Sequence, residues 1–212
     1  MRWFPPAVEA ALCGHATLAS GHVVLDHDGE ARFETRKAGV LTVARDGDAL
    51  SLRLPRFDPA PVDPPPGLAD ALGYAPTAVL RAHYTPDEWD DLAVFDTPDR
   101  IVALSPDMRA VARVGGGAGR SRGVICTAPG GGDADFVSRY FAPAAGIDED
   151  PFTGSALGVL APYWAGRLGC DDLRAVQVSA RRGWARCCVE PGAVVLHGRA
   201  VTYLRSEIEV PG

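Results

Sequence analysis

The sequence has little lysine, no excess of basic residues and no long apolar run. Its 212 residues include a single lysine, Lys37, and 21 basic against 27 acidic side chains, so the net charge is −6. A chain of this charge has no general attraction for polyanions, which argues against nucleic acid and anionic membranes as partners. No apolar stretch approaches the roughly 18 residues that a spanning helix needs, so no membrane segment is predicted.

Several motifs of metal, phosphate and hydrolase sites are also missing. Neither HExxH nor CxxC occurs, and no metal site is predicted. The glycine-rich residues 115–120 (GGGAGR) lack the Lys-Ser/Thr of a phosphate loop and are interpreted as a connection. Ser155 stands in TGSAL rather than in G-x-S-x-G, which disfavours a hydrolase nucleophile.

Cysteine usage and the first residues indicate the compartment. Five cysteines are an odd number, which fits reduced thiols better than a disulfide framework. The opening MRWFPPAVEA contains no apolar core of a secretion signal, so we expect a cytoplasmic protein. Because 47% of the residues are apolar, the chain can bury a substantial core in one large domain or two small ones.

A weak internal repeat is the most informative feature that the sequence does contain. Three landmarks recur at offsets of 137, 140 and 144 residues: RWFPP at Arg2 with RYFAP at Arg139, CGHA at Cys13 with TGSA at Thr153, and TRKAG at 35–39 with SARRG at 179–183. The last offset also relates Leu52 to Leu196. Such a near-constant offset predicts two copies of one supersecondary unit.

The repeat divides the chain near residues 80–90. We predict a first half over residues 1–85 and a second half over 86–212, whose last strand can pack back on the first half. Strand signals precede Arg139 in the second copy, whereas only Met1 precedes Arg2 in the first. The first half is therefore expected to be incomplete, either because the chain evolved short or because its true start lies upstream.

Local patterns predict three helices and six strands. Residues 14–26 and 155–169 have apolar helical faces, with Pro162 as a kink and Gly169 as the end of the second helix. Ser105 as N-cap and Pro106 in the first turn predict a short helix over 106–114. The predicted strands are 40–43, 50–54, 123–127, 137–141, 194–197 and 201–204, with hairpin turns at Asp46-Gly47 and Pro191-Gly192.

The two predicted helix starts share a small-residue pattern that suits an anion. Gly14 with His15, and Gly154 with Ser155, stand where a helix leaves backbone N–H groups unpaired and has the positive end of its dipole. For one motif alone, the structural interpretation, small residues that let helices pack, is the better one. As a matched pair in two packed copies, both starts can face one cleft and hold a carboxylate.

Three further side chains near these starts carry possible chemistry. Asp150 either orders the loop that enters the helix or acts as a general acid/base, and the adjacent Asp148 and Glu149 compete for that role. His15 can shuttle a proton near neutral pH. Cys13 can serve as the thiol base of an epimerase, but the matched position in the second copy is Thr153.

The segments CGHATLASGHVVL and FVSRYFAPAAGIDEDPFTGSALGVLAPYW resemble the phenazine-biosynthesis PhzF-like isomerase family, and the resemblance extends over essentially the whole chain. It implies an α+β, diaminopimelate-epimerase-like fold of two similar domains, each a mixed sheet wrapped around a central helix. It also implies isomerisation without a cofactor, by proton removal and return on a small carboxylate substrate in the cleft between the domains. Family members are commonly homodimers.

Site residues can be carried over by position. The resemblance makes His15 and Asp150 the groups that assist proton transfer, and it makes Ser155, with Gly14, Gly154 and the neighbouring Thr153, the substrate-binding set. An LSETAF-like segment with the family's main glutamate is absent, so we expect this chain as written to be inactive or weakly active, since a lost acid/base costs about 10²–10⁴-fold. The alternatives are an inactive remnant or small-carboxylate binding protein, and a Cys13-dependent epimerase.

Overall fold

A computed structural model describes residues 1–4, 9–114 and 121–207, so the glycine-rich connection predicted at 115–120 lies outside the described residues. Its strands all join one mixed sheet. They are β1 (Gly29–Glu34), β2 (Val40–Asp46), β3 (Ala49–Pro55), β4 (Ala60–Pro61), β5 (Ala78–Thr85), β6 (Glu88–Val94), β7 (Ser121–Pro129), β8 (Phe136–Ala142), β9 (Ile147–Glu149), β10 (Asp172–Gln177), β11 (Gly183–Glu190) and β12 (Ala193–Gly198).

The sheet runs in the order β1-β2-β3-β12-β11-β10-β8-β7-β6-β5-β4, with β9 paired to β8. Neighbours are antiparallel except β6 with β7 and β8 with β10, which are parallel. The helices are α1 (Gly14–Val24), α2 (Leu68–Leu72), α3 (Pro98–Ala103), α4 (Met108–Val111) and α5 (Gly154–Leu168), with a 3-10 turn at Pro143–Ala145. A mixed sheet with few helices confirms the predicted α+β class.

Two apolar clusters form the core. The larger one surrounds α5, where 12 of the 15 helical residues are buried, and it includes Leu52, Phe136 and Leu160. The smaller one collects side chains such as Leu72 and Ile101 from the short helices and their strands. Within the described residues, no helix combines the length and the apolar character that crossing a bilayer requires.

The two copies of the sequence repeat have the same local order in the structure. Helix α1 is followed by the antiparallel strands β1–β3, and helix α5 is followed by the antiparallel strands β10–β12. Strands β3 and β12 pair antiparallel, and the repeat-related Leu52 and Leu196 lie directly opposite each other. The predicted boundary after residue 85 falls in the turn between β5 and β6, and the division into two domains stays a prediction.

Most predicted elements are confirmed, and two are wrong. Both hairpin turns and both long helices form, and Gly169 ends α5 in the left-handed conformation (φ 66°). The predicted strand 201–204 is absent because β12 already has neighbours on both sides, and Val201 and Tyr203 are exposed. The short helix covers only Met108–Val111, since the Asp107 side chain, rather than Ser105, accepts hydrogen bonds from its first N–H groups.

Candidate active site

The starts of α1 and α5 open into one cavity of about 740 Å³. All six site residues predicted from the sequence line it, namely Gly14, His15, Asp150, Thr153, Gly154 and Ser155. Cys13 lines it as well. The structure therefore brings together residues that are about 140 positions apart, as a face-to-face arrangement of the two repeats requires.

The two helix starts touch each other through their backbones. A Cβ atom placed on Gly14 would lie 3.0 Å from Cα of Gly154, and one placed on Gly154 would lie 3.1 Å from Cα of Gly14. The backbone nitrogen of Ser155 lies 3.5 Å from the Cβ position on Gly14, and the backbone nitrogen of His15 lies 3.4 Å from the Cβ position on Gly154. A Cβ on either glycine would be tighter than ordinary contacts against backbone atoms, so glycine on both helices favours this close approach.

This junction places the N-terminal ends of two helices at one point. The first N–H groups of a helix have no acceptor within the helix, and the helix dipole makes that end positive. The N-cap residues Cys13 and Thr153 offer no side-chain acceptor to their helices. An anion in the cavity can therefore accept hydrogen bonds from two helix starts together, and the buried hydroxyl of Ser155 lies in the first turn of α5.

Of the three consecutive acids, only Asp150 lines the cavity. Asp148 is exposed, and the Glu149 carboxylate accepts two hydrogen bonds of 2.8 Å from the guanidinium of Arg139. Asp150 accepts a hydrogen bond of 2.8 Å from the Thr153 hydroxyl and a longer one of 3.4 Å from the Phe152 N–H. The structure thus separates three neighbours that the sequence leaves equivalent.

Gln177, at the end of β10, fixes the loop that carries Asp150. Its side-chain amide donates to the Asp150 carbonyl at 2.5 Å, and its carbonyl oxygen accepts from the Thr153 N–H at 2.8 Å. Only 4% of Gln177 is exposed. Sequence reasoning missed this residue because β10 was not predicted and a single glutamine carries no motif.

His15 and Cys13 are in contact at the edge of the cavity. The Cys13 sulfur lies 3.6 Å from Nε2 of His15. The pKa of His15 is raised, chiefly because an imidazolium N–H donating to this sulfur favours the protonated form, while the nearby Asp150 carboxylate also favours it. The imidazole therefore carries a proton at a higher pH than an isolated histidine does.

Replacing Cys13 by alanine is expected to lower the pKa of His15, since the contact with Cys13 is the largest effect that raises it. Protonated His15 stabilises the fold below the unfolded pKa of about 6.5, and this contribution is lost as the pH rises through the raised folded value. NMR titration of the His15 ring measures the change. Cys170→Ala, which removes an exposed thiol outside the cavity, should leave the titration as it is. Equal His15 curves in both variants would contradict the contact.

Arg122 and Tyr140 line another side of the cavity, and together with Tyr84 and Asp90, which lie behind them, they form a polar wall that the sequence did not reveal. Asp90 is fully buried, and it accepts hydrogen bonds from the hydroxyls of Tyr84 at 2.6 Å and Tyr140 at 3.0 Å. Burial raises the pKa values of Asp90 and Tyr140. Arg122, at the start of β7, stacks on the Tyr84 ring at 4.0 Å, and its side chain lines the cavity beside Tyr140.

In the described part of the chain, no group of three or more His, Cys, Asp or Glu side chains is arranged to hold an ion. Cys126 and Cys187 are fully buried away from the cavity, and burial raises the pKa of both thiols. Their role is packing, as is usual for small buried thiols.

The chain is similar to known proteins over nearly its whole length. The chain is 44% identical over 214 residues to a protein of Pseudomonas aeruginosa that is named as an uncharacterized isomerase. The alignment covers 99% of this chain and 78% of that protein. An isomerase of the same naming from Halalkalibacterium halodurans is 38% identical over 215 residues, covering 98% and 77%. These names support a general isomerase class.

Solved structures agree with this relationship. A crystal structure of a PhzF-family phenazine biosynthesis protein from Enterococcus faecalis has a TM-score of 0.83 at 32% identity, covering 99% of this chain and 77% of that one. A putative PhzC/PhzF protein from Clostridium difficile gives 0.82 at 30% identity, covering 99% and 78%. The family described as phenazine biosynthesis-like protein matches residues 1–205. The chain therefore belongs to the PhzC-PhzF family, as its motifs indicated.

Proposed function

We propose that this protein is an isomerase that acts without a cofactor on a small carboxylate-bearing metabolite. It removes a proton from a carbon of the substrate and returns one at a different position, so no electron is gained or lost. The observation that carries the proposal is the backbone contact of Gly14 with Gly154, which joins two helix starts in one cavity with His15, Asp150 and Ser155.

In this proposal the substrate carboxylate lies at the joined helix starts. The N–H groups near Gly14 and Gly154, together with the Ser155 hydroxyl, donate hydrogen bonds to it. Anchoring the carboxylate there fixes the orientation of the adjoining carbon atoms. Negative charge that develops on those atoms when the proton leaves is stabilised by the same two positive helix ends.

His15 and Asp150 handle the proton. Asp150 lines the cavity, and hydrogen bonds from the Thr153 hydroxyl and the Phe152 N–H restrict the rotation of its carboxylate. His15 has a raised pKa and is the natural proton donor of the pair, and the Asp150 side chain is the proton acceptor. Removal of a proton at one carbon and its return at another requires one acceptor and one donor.

Deuterium incorporation tests the reaction. A panel of small cyclic and acyclic carboxylates with ionisable C–H bonds is incubated with the protein in heavy water, and NMR follows the loss of the C–H signal. Ser155→Ala removes one donor to the carboxylate and is expected to weaken ligand binding about 10-fold, as the loss of a charge-assisted hydrogen bond does. Binding by the wild type without any exchange would instead support a non-catalytic carboxylate-binding protein.

A thiol-dependent epimerase is a second candidate because Cys13 contacts His15. The matched residue on α5 is Thr153, whose hydroxyl is bound to Asp150, so a facing pair of thiols does not form. Cys13 is the only thiol among the described residues that line the cavity. Exchange that survives in Cys13→Ala would leave the histidine and the aspartate as the active groups, whereas complete loss would favour the thiol.

A further inference from the structure

One nitrogen of the Arg122 guanidinium has no hydrogen-bond partner among the residues that the structure describes. Its Nη1 atom is buried, and no acceptor lies within hydrogen-bond distance in the described part of the chain. Its Nη2 atom donates to the Ser155 hydroxyl, but at 3.4 Å this bond is long and weak. Burying a charged donor without an acceptor costs free energy, so this arrangement suits an arginine that binds a ligand.

Arg122 differs in this respect from the other cations near it. Lys37, which also lines the cavity, pairs with Glu88 at 2.9 Å, and Arg81 on β5, two strands from β7, pairs with the buried Asp91 at 2.8 Å. None of the ion pairs formed by the described residues includes Arg122. The positive charge of Arg122 is therefore not matched by a carboxylate in contact with it.

The buried Asp90 carboxylate, whose charge acts on Arg122, binds two tyrosines rather than the guanidinium. Both oxygens of Asp90 accept hydrogen bonds from tyrosine hydroxyls, one from Tyr84 and one from Tyr140. These two tyrosines stand in the polar wall with Arg122, and the Tyr84 ring supports the guanidinium by stacking. Asp90 can offset the charge only at longer range, and the fork of Arg122 stays available beside Ser155.

From this arrangement we infer that Arg122 is a substrate-binding residue that pairs with the same carboxylate that the helix starts hold. A guanidinium presents parallel N–H donors that match the two oxygens of a carboxylate. The Ser155 oxygen only accepts in its weak bond with Arg122, so the Ser155 O–H can donate to the same anion. The inference rests on the proposed function, and it adds an ionic selection for carboxylates over neutral analogues.

Calorimetric titration with benzoate and with benzamide tests the inference without turnover. The two probes have the same size and an apolar ring, which suits the Trp3, Leu12 and Ile147 side chains of the cavity, and only benzoate is charged. We expect Arg122→Met to weaken benzoate binding about 10- to 100-fold and to leave benzamide binding nearly unchanged. Arg122→Lys, which keeps the charge but loses the fork, should fall between.

The control variant is Arg100→Met. Arg100 is exposed, stacks on the Tyr74 ring at 4.7 Å and lies outside the cavity. Its methionine variant therefore also removes an arginine that stacks on a tyrosine, but it leaves the site unchanged. Equal weakening of benzoate and benzamide in both Arg122 variants would mean that the residue only supports the wall, and it would overturn the inference alone. If the wild type bound neither probe, the carboxylate pocket and the proposed function would fall with it. Should Arg122→Met not fold, the lysine variant carries the same comparison.

Discussion

Replacing Asp150 by asparagine is expected to slow proton exchange by about 10²–10⁴-fold, which is the usual contribution of a general acid or base. Asparagine has the same shape and can still accept the hydrogen bond from the Thr153 hydroxyl, so the loop that Gln177 fixes should keep its conformation. What the variant loses is the ability to take up a proton. The measurement is the initial rate of deuterium incorporation from heavy water.

Asp148→Asn is the matched control. Asp148 lies two residues earlier in the same loop, is exposed and does not line the cavity, so its variant removes the same charge without removing a group from the site. Its exchange rate should stay close to that of the wild type. Comparable rates in the two variants would show that Asp150 has only a structural role, namely to order the entrance to α5.

Replacing Gly154 by alanine is expected to destabilise the fold by about 1–3 kcal/mol, the usual range for inserting a methyl group into packed structure. The new Cβ would lie 3.1 Å from Cα of Gly14 and 3.4 Å from the His15 nitrogen, and these are backbone atoms that cannot rotate away. The two helix starts must then separate by a few tenths of an ångström, so carboxylate binding should weaken together with stability. Urea unfolding and benzoate titration measure the two effects.

The same substitution twelve residues further along α5 should have the opposite sign. Gly166 is exposed, and a Cβ placed on it meets no atom within 4 Å. Alanine there removes the conformational freedom of glycine from the unfolded chain and should stabilise the protein by about 0.4–1 kcal/mol. Stabilisation by both variants would mean that helix propensity rather than the junction governs Gly154, and destabilisation by both would contradict the open surroundings of Gly166.

The part of the site that is duplicated could be predicted from the sequence. His15 and Ser155 were singled out because their motifs recur in two copies, and two packed copies of one unit bring equivalent helix starts together. Asp150 was a candidate, but choosing it over Glu149 required knowing that Arg139 on β8 engages Glu149. That ion pair joins the neighbouring strands β8 and β9, and no periodic pattern in the sequence predicts it.

The rest of the site depends on contacts between distant segments that carry no motif. The hydroxyl of Tyr140 reaches Asp90 across 50 positions, and the guanidinium of Arg122 reaches Ser155 across 33. Two adjacent aspartates in β6 are each fully buried, one facing the tyrosines and the other facing Arg81. Two adjacent acidic residues normally indicate a solvent-exposed turn, so composition alone does not predict a buried strand at this position. The strand predicted at 201–204 is wrong for a related reason. β-Propensity does not show whether the preceding strand, here β12, has an unpaired edge.

The pairing of β3 with β12 has a consequence for the growing chain on the ribosome. Strand β3 ends at Pro55, while its partner begins only at Ala193, so the long segment between them must be synthesised before that side of β3 is covered. An uncovered strand edge can pair with other chains. The junction of Gly14 with Gly154 also waits for late residues. Strand β12 must therefore be synthesised before the two parts of the sheet can join at β3, and the start of α5 must be synthesised before the ligand cavity can assemble.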